Sequence, residues 1–259
     1  MTTVSKPAPN KTQLFRERVW EQLRKVAWPD SRNHWDFSSF IPDFEGSDLC
    51  ADRVRALPAY QQSSLLFITP DNSTEALRWR AIEDGKRFLM STCGIVRGIV
   101  LLDPHLVPAE DRRYAATLDG IERFAQPVSL DDIRRGPQIG LLVTGGSAVN
   151  LQGVRFGKGH GYFDIEWALL SEIGAVSVES EVVDVVHDCQ IVDEILEPED
   201  HDVIVDWIIT PTMTHRVPGV ERPLGRVRWE LLEGSPKLKS PVFAELRNLS
   251  LNGSRTLTD

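Results

Sequence analysis

Apolar positions recur along the chain at two spacings, and their order predicts helices alternating with short strands. In KTQLFRERVWEQLRKVAW, the side chains of Phe15, Val19, Leu23 and Val26 share one stripe with helical spacing, and Pro29 ends the segment. Buried strands are predicted for four short apolar runs bounded by turn residues: SSLLFIT, KRFLMST, GIVLLD and QIGLLVT. Three more strands are predicted later in the chain: GAVSVES, EVVDVVH and VIVDWIITPT.

Helical patterns fill the intervals between these strands. Helices are predicted for SDLCADRVRAL, STEALRWRAIEDG, AEDRRYAATLDGIERFA and SLDDIRRG, and for a segment from about Phe163 to Ile173. This alternation predicts an α/β fold with a mostly parallel sheet covered by helices on both faces. Ligands of such folds bind beyond the carboxyl ends of the strands.

The domain organisation follows from the same pattern. Residues 1–10, MTTVSKPAPN, are polar and contain proline, so they are predicted to form a loose arm. Residues 11–230 are predicted to form one α/β domain. Residues 231–259 are predicted to be a carboxyl-terminal extension with one late helix, either packed on the domain or trailing from it.

Composition and charge narrow the choice of partners. The chain is 41% hydrophobic and 26% charged with a net charge of −9, which is typical of a globular protein and argues against a nucleic-acid binder. No apolar run has membrane-spanning length. Three widely separated cysteines and no recognisable secretory signal predict a cytoplasmic protein. The protein is expected to be a monomer or a homodimer.

The strongest chemical signal is the stretch VRFGKGHGYFDIEWALL, residues 154–170. Glycines at 157, 159 and 161 allow several backbone N–H groups to converge on an anion, and Lys158 and Arg155 add positive charge. A helix starting near Phe163 would direct its positive end to the same point. Asp164 would repel bare phosphate, so we expect a nucleoside triphosphate with Mg²⁺. The alternative is a flexible glycine turn with a solvated lysine, and spacing alone leaves both open.

Three segments together resemble a known family. TGGSAVNLQGVRFGKGHGYFDIEWALL is similar to the signature of the 5-formyltetrahydrofolate cyclo-ligases, and PEDHDVIVDWIITPT and LFRERVW resemble that family's second acidic segment and first helix. FDIEWALL is closest to the longer, divergent branch. The resemblance implies a single domain of the cyclo-ligase type, which is similar to the NagB, RpiA and CoA transferase folds.

The resemblance also implies roles for individual residues. Lys158 and Tyr162 match catalytic positions, Asp164 and Asp202 match the Mg²⁺ ligands, and Tyr162 lies beside the pterin. A glutamate that contacts the pterin in compact members is missing, and Asp71 is predicted to replace it in substrate binding. The positions that match ATP contacts are Lys11, Arg16, Arg155, Gly157, Lys158, Gly159, His160, Gly161, Tyr162, Phe163 and Asp164.

The implied reaction is the ATP- and Mg²⁺-dependent ring closure of 5-formyltetrahydrofolate to 5,10-methenyltetrahydrofolate. The formyl oxygen would attack the γ-phosphate, and N10 would then close on the activated carbon. Two alternatives remain open. One keeps the MgATP site and acts on another pterin or a thiamine-related compound, and the other is a binding protein without catalysis.

Overall fold

The computed structural model describes residues 11–255, with side chains for residues 14–251. The helices are α1 (Lys11–Leu23), α2 (Ser47–Arg55), α3 (Pro58–Gln62), α4 (Glu75–Glu83), α5 (Arg112–Ala115), α6 (Leu118–Phe124), α7 (Leu130–Arg135), α8 (Tyr162–Glu172), α9 (Trp229–Leu232) and α10 (Pro241–Arg255). The strands are β1 (Leu65–Ile68), β2 (Arg87–Ser91), β3 (Ile99–Leu102), β4 (Gln126–Val128), β5 (Leu141–Gly145), β6 (Ala148–Asn150), β7 (Arg155–Phe156), β8 (Glu181–Val185), β9 (Ile191–Val192), β10 (Trp207–Ile209) and β11 (Thr214–Arg216).

Eight strands form the central sheet in the order β11-β10-β8-β5-β1-β2-β3-β4. The strands from β10 through β8, β5 and β1 to β2 are parallel. Strand β11 at one edge and strands β3 and β4 at the other pair in antiparallel fashion. The predicted α/β fold with a mostly parallel sheet is therefore confirmed. A small sheet in the order β7-β6-β9 was not predicted.

Strand β1 shows how the two faces of the sheet are packed. Successive strand residues point to opposite faces, so all-apolar β1 supplies both sides. Leu66 and Ile68 belong to one buried cluster with residues of α1, α2 and α4. Leu65 and Phe67 belong to the other cluster, with residues of α7, α8 and α10. Helices therefore cover both faces, as predicted.

The prediction of a strand for GAVSVES is wrong, because residues 174–180 form turns between α8 and β8. Gly174 has a φ of +73° directly after α8, where a residue without Cβ reverses the chain without strain. The carbonyl of Ala175 then accepts a hydrogen bond from the Ile139 N–H at 2.9 Å. Ser180 Oγ donates to the Ile139 carbonyl at 2.7 Å, so the segment crosses to the strand layer as a tied loop.

The described part of the carboxyl-terminal extension packs on the domain. Helix α10 buries Phe243 and Leu246 in the same cluster as α7 and α8. A short helix, α9, and a 3₁₀ turn (Pro236–Lys239) precede this late helix. Among the described residues, no helix has the length and apolar composition that crossing a membrane would require.

Candidate functional site

A cleft of about 560 Å³ opens at the carboxyl edge of the parallel strands. Its lining includes nearly all the residues that the sequence singled out: Arg16, Asp71, Arg155, Gly157, Lys158, Gly159, His160, Gly161, Tyr162, Phe163, Asp164 and Asp202. Lys11 begins α1, but its side chain lies outside the described ones. Residues from four distant segments of the chain therefore meet at one edge of the sheet.

The glycine loop, residues 157–161, forms one wall of the cleft between β7 and α8. Gly159 has a φ of +98° and Gly161 a φ of +62°, which are backbone conformations that glycine adopts without strain. Gly161 directly precedes the first turn of α8. The backbone of the loop therefore leads into the positive end of a helix that faces the cleft.

Two arginines lie beside this loop, and one of them is bonded to it. Arg16 of α1 donates from Nε to the Gly157 carbonyl at 2.9 Å, and burial lowers the pKa of its guanidinium. Arg155 is buried, and its Nη2 lies 3.4 Å from the Gly145 carbonyl at the end of β5. Its guanidinium also lies 4.9 Å from the ring centroid of Phe163, and this cation–π contact stabilises the positive charge of Arg155.

Asp164 and Asp202, which the family resemblance matches to Mg²⁺ ligands, both line the cleft. Asp164 Oδ1 accepts the Val203 N–H at 3.0 Å and lies 3.9 Å from Arg155 Nη1. Asp202 Oδ2 accepts the Glu199 N–H at 2.8 Å. Burial raises the pKa of Asp202, and the charge of Asp164 raises it further, so the two carboxylates repel each other. A cation between them would relieve that repulsion.

These two carboxylates suit Mg²⁺ only together with ligands from a substrate. Among the described residues, no group of three or more His, Cys, Asp or Glu side chains could hold a metal ion. Mg²⁺ commonly binds through one or two carboxylates, substrate phosphates and water. The donor set of the cleft therefore fits Mg²⁺ delivered with a nucleotide, and does not form a cage made by protein alone.

Asp71 lies in the turn after β1 and lines the cleft. Its Oδ2 accepts hydrogen bonds from Thr69 Oγ1 at 2.6 Å and from the Gly145 N–H at 3.1 Å. Arg78, fully buried in α4, donates to the carbonyl of Asp71 at 2.9 Å and to that of Thr69 at 3.0 Å. The buried Arg78 thus fixes the backbone of this turn, and the Asp71 carboxylate has a defined orientation.

Tyr162 and His160 form the rim above the glycine loop. The rings of His160 and Tyr162 lie 5.9 Å apart, and His160 Nε2 lies 3.3 Å from the Ser38 carbonyl. Burial raises the pKa of Tyr162, so its hydroxyl remains a hydrogen-bond donor at neutral pH. That hydroxyl lies 3.2 Å from the position that a Cβ on Gly94 would occupy, so glycine leaves the approach open.

Glu166 is a residue of the cleft that the sequence did not reveal. It lies one helical turn after Tyr162 in α8, on the same side of the helix, and lines the cleft although only 3% of it is exposed. The hydroxyl of Ser91, at the end of β2, donates to its Oε1. Burial raises the pKa of Glu166 to about 8, against the opposing charges of Lys158 and Arg155. In the sequence, the only sign of this role is that Glu166 is the second acidic residue of FDIEWALL.

Asp184 is a second buried carboxyl group that the sequence did not reveal. It lies in β8, and neither carboxylate oxygen has a hydrogen-bond partner among the described residues. Burial raises its pKa to about 7, while the charge of Arg155 acts in the opposite direction. A Cβ on Gly146 would lie 2.7 Å from Asp184 Oδ2, so glycine at that position makes room for the carboxyl group.

Comparison with known proteins identifies relatives of this chain. The sequence model of the 5-formyltetrahydrofolate cyclo-ligase family matches residues 8–211. The methenyltetrahydrofolate synthase domain-containing protein of Bos taurus is 32% identical over 255 residues, covering 95% of this chain and 64% of the bovine one. Its Homo sapiens counterpart is 33% identical with the same coverage. The chain thus spans about 64% of the length of these relatives.

One solved structure is also similar to this chain. The NMR structure of 5,10-methenyltetrahydrofolate synthetase from Aquifex aeolicus superposes with a TM-score of 0.48 and 16% identity, covering 83% of this chain and 96% of that one. The family match over residues 8–211 includes the glycine loop, both carboxylates and the turn after β1. It confirms the resemblance carried by the glycine loop. The chain belongs to the 5-formyltetrahydrofolate cyclo-ligase family.

Proposed function

We propose that this protein closes the ring of 5-formyltetrahydrofolate to give 5,10-methenyltetrahydrofolate, with MgATP as the second substrate. The observation that carries the proposal is the meeting, in one cleft, of the glycine loop, three cationic side chains and a carboxylate pair. Family membership supports the same reaction. The relatives are methenyltetrahydrofolate synthase domain-containing proteins by name, and this chain spans about 64% of their length.

The glycine loop is the proposed binding site of the triphosphate. Its backbone N–H groups and the start of α8 attract anions, and Arg16, Arg155 and Lys158 neutralise the charge that three phosphates bring. Lys158 is half-buried, so its attraction for phosphate is less screened by water than that of an exposed lysine. Tyr162 and His160 close the loop on the side of 5-formyltetrahydrofolate.

Asp164 and Asp202 are the residues that would hold Mg²⁺. Bound there with the nucleotide, the ion would neutralise charge on the β- and γ-phosphates. Arg155 Nη1 lies 3.9 Å from Asp164 Oδ1, close enough to orient that carboxylate. The Val203 N–H fixes the same carboxylate from the other side of the cleft.

The reaction needs positioning and charge stabilisation more than it needs a protein nucleophile. The formyl oxygen attacks the γ-phosphorus, the bond to the β-phosphate oxygen breaks, and ADP leaves. N10 then adds to the activated formyl carbon, and phosphate departs with the former formyl oxygen as the N10 proton is lost. Lys158 and the Tyr162 hydroxyl stabilise charge that develops on the transferred oxygens.

Two carboxyl groups serve the pterin end of the cleft in this proposal. Asp71 leaves its Oδ1 without a hydrogen bond from the described residues, so this oxygen can accept N–H groups of a heterocycle. Glu166 with Ser91 forms the floor between Asp71 and the glycine loop. Buried polar groups of this kind discriminate strongly between ligands, because an unpaired partner costs about 1–3 kcal/mol.

A second candidate keeps the MgATP site but acts on another pterin or a thiamine-related compound. It is favoured by Asp71, because a carboxylate that already accepts two protein hydrogen bonds offers fewer positions to a pterin. It is also favoured by Phe163, which is buried beside Arg155 and supplies no hydroxyl to the cleft. The glycine loop and the carboxylate pair would have the same roles in either case.

The test is direct, because the methenyl product has a near-ultraviolet absorbance band that 5-formyltetrahydrofolate lacks. Purified protein with MgATP and 5-formyltetrahydrofolate is expected to develop this band and to release ADP in equal amount. The Lys158→Ala variant is the matched control for contaminating activity. Protein that binds MgATP but never develops the band would reject the cyclo-ligase reaction in favour of the second candidate.

A further inference from the structure

The carboxyl-terminal segment reaches the glycine loop from outside the family match, which ends at residue 211. Several contacts fix this segment on the domain. The Ser240 hydroxyl donates to the Ile95 carbonyl, and Glu245 Oε2 accepts the Leu130 N–H at 2.8 Å. Phe243 is buried beside Trp229, with ring centroids 5.8 Å apart. The 3₁₀ turn between α9 and α10 is therefore held in place beside the cleft.

Lys237 is the residue of that turn that contacts the glycine loop. Its Nζ donates a hydrogen bond to the carbonyl of His160, between the two glycines with positive φ. The same ammonium group lies 4.9 Å from the ring centroid of Tyr162. Lys237 is half-buried, whereas its neighbour Lys239 is exposed. Burial lowers the pKa of Lys237, and the charge of Asp164 opposes that shift.

A contact at this point has a specific physical consequence. Fixing the backbone of one residue costs roughly 1–2 kcal/mol of conformational entropy, and glycine loses the most. The loop has glycines at 157, 159 and 161, so ordering it only when a ligand arrives would weaken binding. Lys237 restrains the loop at its centre and Arg16 restrains it at Gly157, so the loop is ordered before a ligand binds.

We propose that Lys237 is a positioning residue for the nucleotide loop, and that the carboxyl-terminal segment is thereby an integral part of the nucleoside triphosphate site. The role of the loop rests on the proposed function. The positioning itself rests on the contacts of Lys237 with His160 and Tyr162. The positive charge of Lys237 also lies near Asp164, where it adds to the attraction for phosphate.

The test compares Lys237→Met, which keeps the aliphatic stem, with Lys237→Arg and with the matched control Lys239→Met. Hydrogen exchange of residues 157–164 is measured in the ligand-free protein, and the Kd for MgATP is measured by calorimetry. In Lys237→Met we expect loop exchange to accelerate and the Kd to rise, each at least about tenfold. Lys237→Arg restores both, Lys239→Met changes neither, and all melting temperatures stay close to that of the wild type.

Two outcomes separate this inference from the proposed function. If Lys237→Met and Lys239→Met match in loop exchange and in Kd, Lys237 does not position the loop and the inference is overturned. If wild-type protein does not bind MgATP, the proposed function fails, and the exchange rates of the loop alone decide whether Lys237 orders it. Lys237→Leu, which also removes the donor and keeps an apolar side chain, serves as the second variant if Lys237→Met is poorly folded.

Discussion

Arg16 Nη1 lies 3.4 Å from the position that a Cβ on Gly159 would occupy, so the first helix and the glycine loop are in direct contact. The two residues are far apart in the sequence, and the hydrogen bond from Arg16 Nε to the Gly157 carbonyl holds the helix against the loop. Helix α1 is therefore a wall of the cleft, and the loop has little room for any side chain at its centre.

Gly159→Ala is expected to weaken MgATP binding at least about tenfold, equivalent to about 1.4 kcal/mol. The added methyl group would meet the Arg16 guanidinium, and the φ of +98° would strain any residue other than glycine. Calorimetry gives the Kd. Gly174→Ala is the matched control, because it also has a positive φ, +73°, but nothing within 4 Å of its Cβ position. Equal Kd values for the two variants would remove Gly159 from the nucleotide site.

Lys158→Ala is expected to weaken MgATP binding more than Gly159→Ala does and to leave the melting temperature nearly unchanged. Loss of a full charge beside the phosphates reduces attraction directly, whereas a lysine on a loop contributes little to folding. Lys239→Ala controls for the loss of one positive charge elsewhere on the surface. An unchanged Kd in Lys158→Ala would contradict the assignment of the loop to phosphate.

The fold was predictable from local pattern because most of its information is local. Strand β1 is apolar at every position, and a strand with that pattern must be buried on both faces. The segment GAVSVES alternates apolar and polar residues as a strand does, yet Gly174 and the contacts with Ile139 make it a tied loop. Pairing with a strand distant in sequence decides such cases, and a short apolar run does not encode it.

The residues of the candidate site also fall into two groups, those indicated by local sequence and those placed by tertiary packing. The glycine loop and Asp164 lie within eight residues, so their spacing brought an anion site into view, while a flexible glycine turn stayed open until the family resemblance was added. Glu166 is charged within a helix and would normally be placed on the solvated face; its burial depends on Ser91, which is 75 residues away. The contact of Lys237 with the glycine loop exists only because the carboxyl-terminal segment folds back to the loop, 77 residues after His160. Tertiary packing creates both residues' roles.

Asp164→Asn and Asp202→Asn are each expected to raise the Mg²⁺ concentration needed for half-maximal activity. Each change removes one anionic oxygen ligand and keeps the size of the side chain. Asparagine at 164 can still accept the Val203 N–H, so the loop around Asp202 should remain in place. The measurement is the initial rate against Mg²⁺ at saturating ATP. A metal requirement unchanged in both variants would show that the pair is structural.

Asp184 is expected to make the stability of the protein depend on pH. Its pKa is about 7 in the folded protein and about 3.9 in an unfolded chain, so the folded state holds the extra proton between these values. The contribution of Asp184 to stability is therefore fully present below about pH 4 and is lost as the pH rises toward 7. Asp184→Asn removes this titration.

The measurement is the free energy of unfolding of wild type and Asp184→Asn between pH 4 and pH 8. In this range the wild type should lose stability with rising pH more steeply than the variant, by up to about 1.4 kcal/mol per pH unit. Asp119→Asn, a change at an exposed position in α6, is the control and should follow the wild type. Parallel curves for Asp184→Asn and wild type would contradict a buried, protonated carboxyl group at this position.

Asp71→Asn is the variant that tests recognition of the folate ring. Its amide oxygen can replace Oδ2 and still accept from Thr69 and Gly145, so the turn after β1 keeps its shape. The amide nitrogen then replaces the free oxygen and offers a donor where the ring requires an acceptor. The Michaelis constant for 5-formyltetrahydrofolate should therefore rise at least about tenfold, while that for ATP should stay near the wild-type value.

Glu166→Gln separates the two carboxyl groups that could meet the ring. Glutamine has nearly the same size, and its amide oxygen can accept the Ser91 hydroxyl, so the floor of the cleft remains packed. If Asp71→Asn leaves the folate Michaelis constant unchanged and Glu166→Gln raises it, the ring lies against α8 and not against the turn after β1. If neither variant changes it, the polar edge of the substrate lies elsewhere and the second candidate substrate class gains support. A rise in both, with ATP binding intact, would place the ring between the two groups, as their common position on the cleft lining suggests.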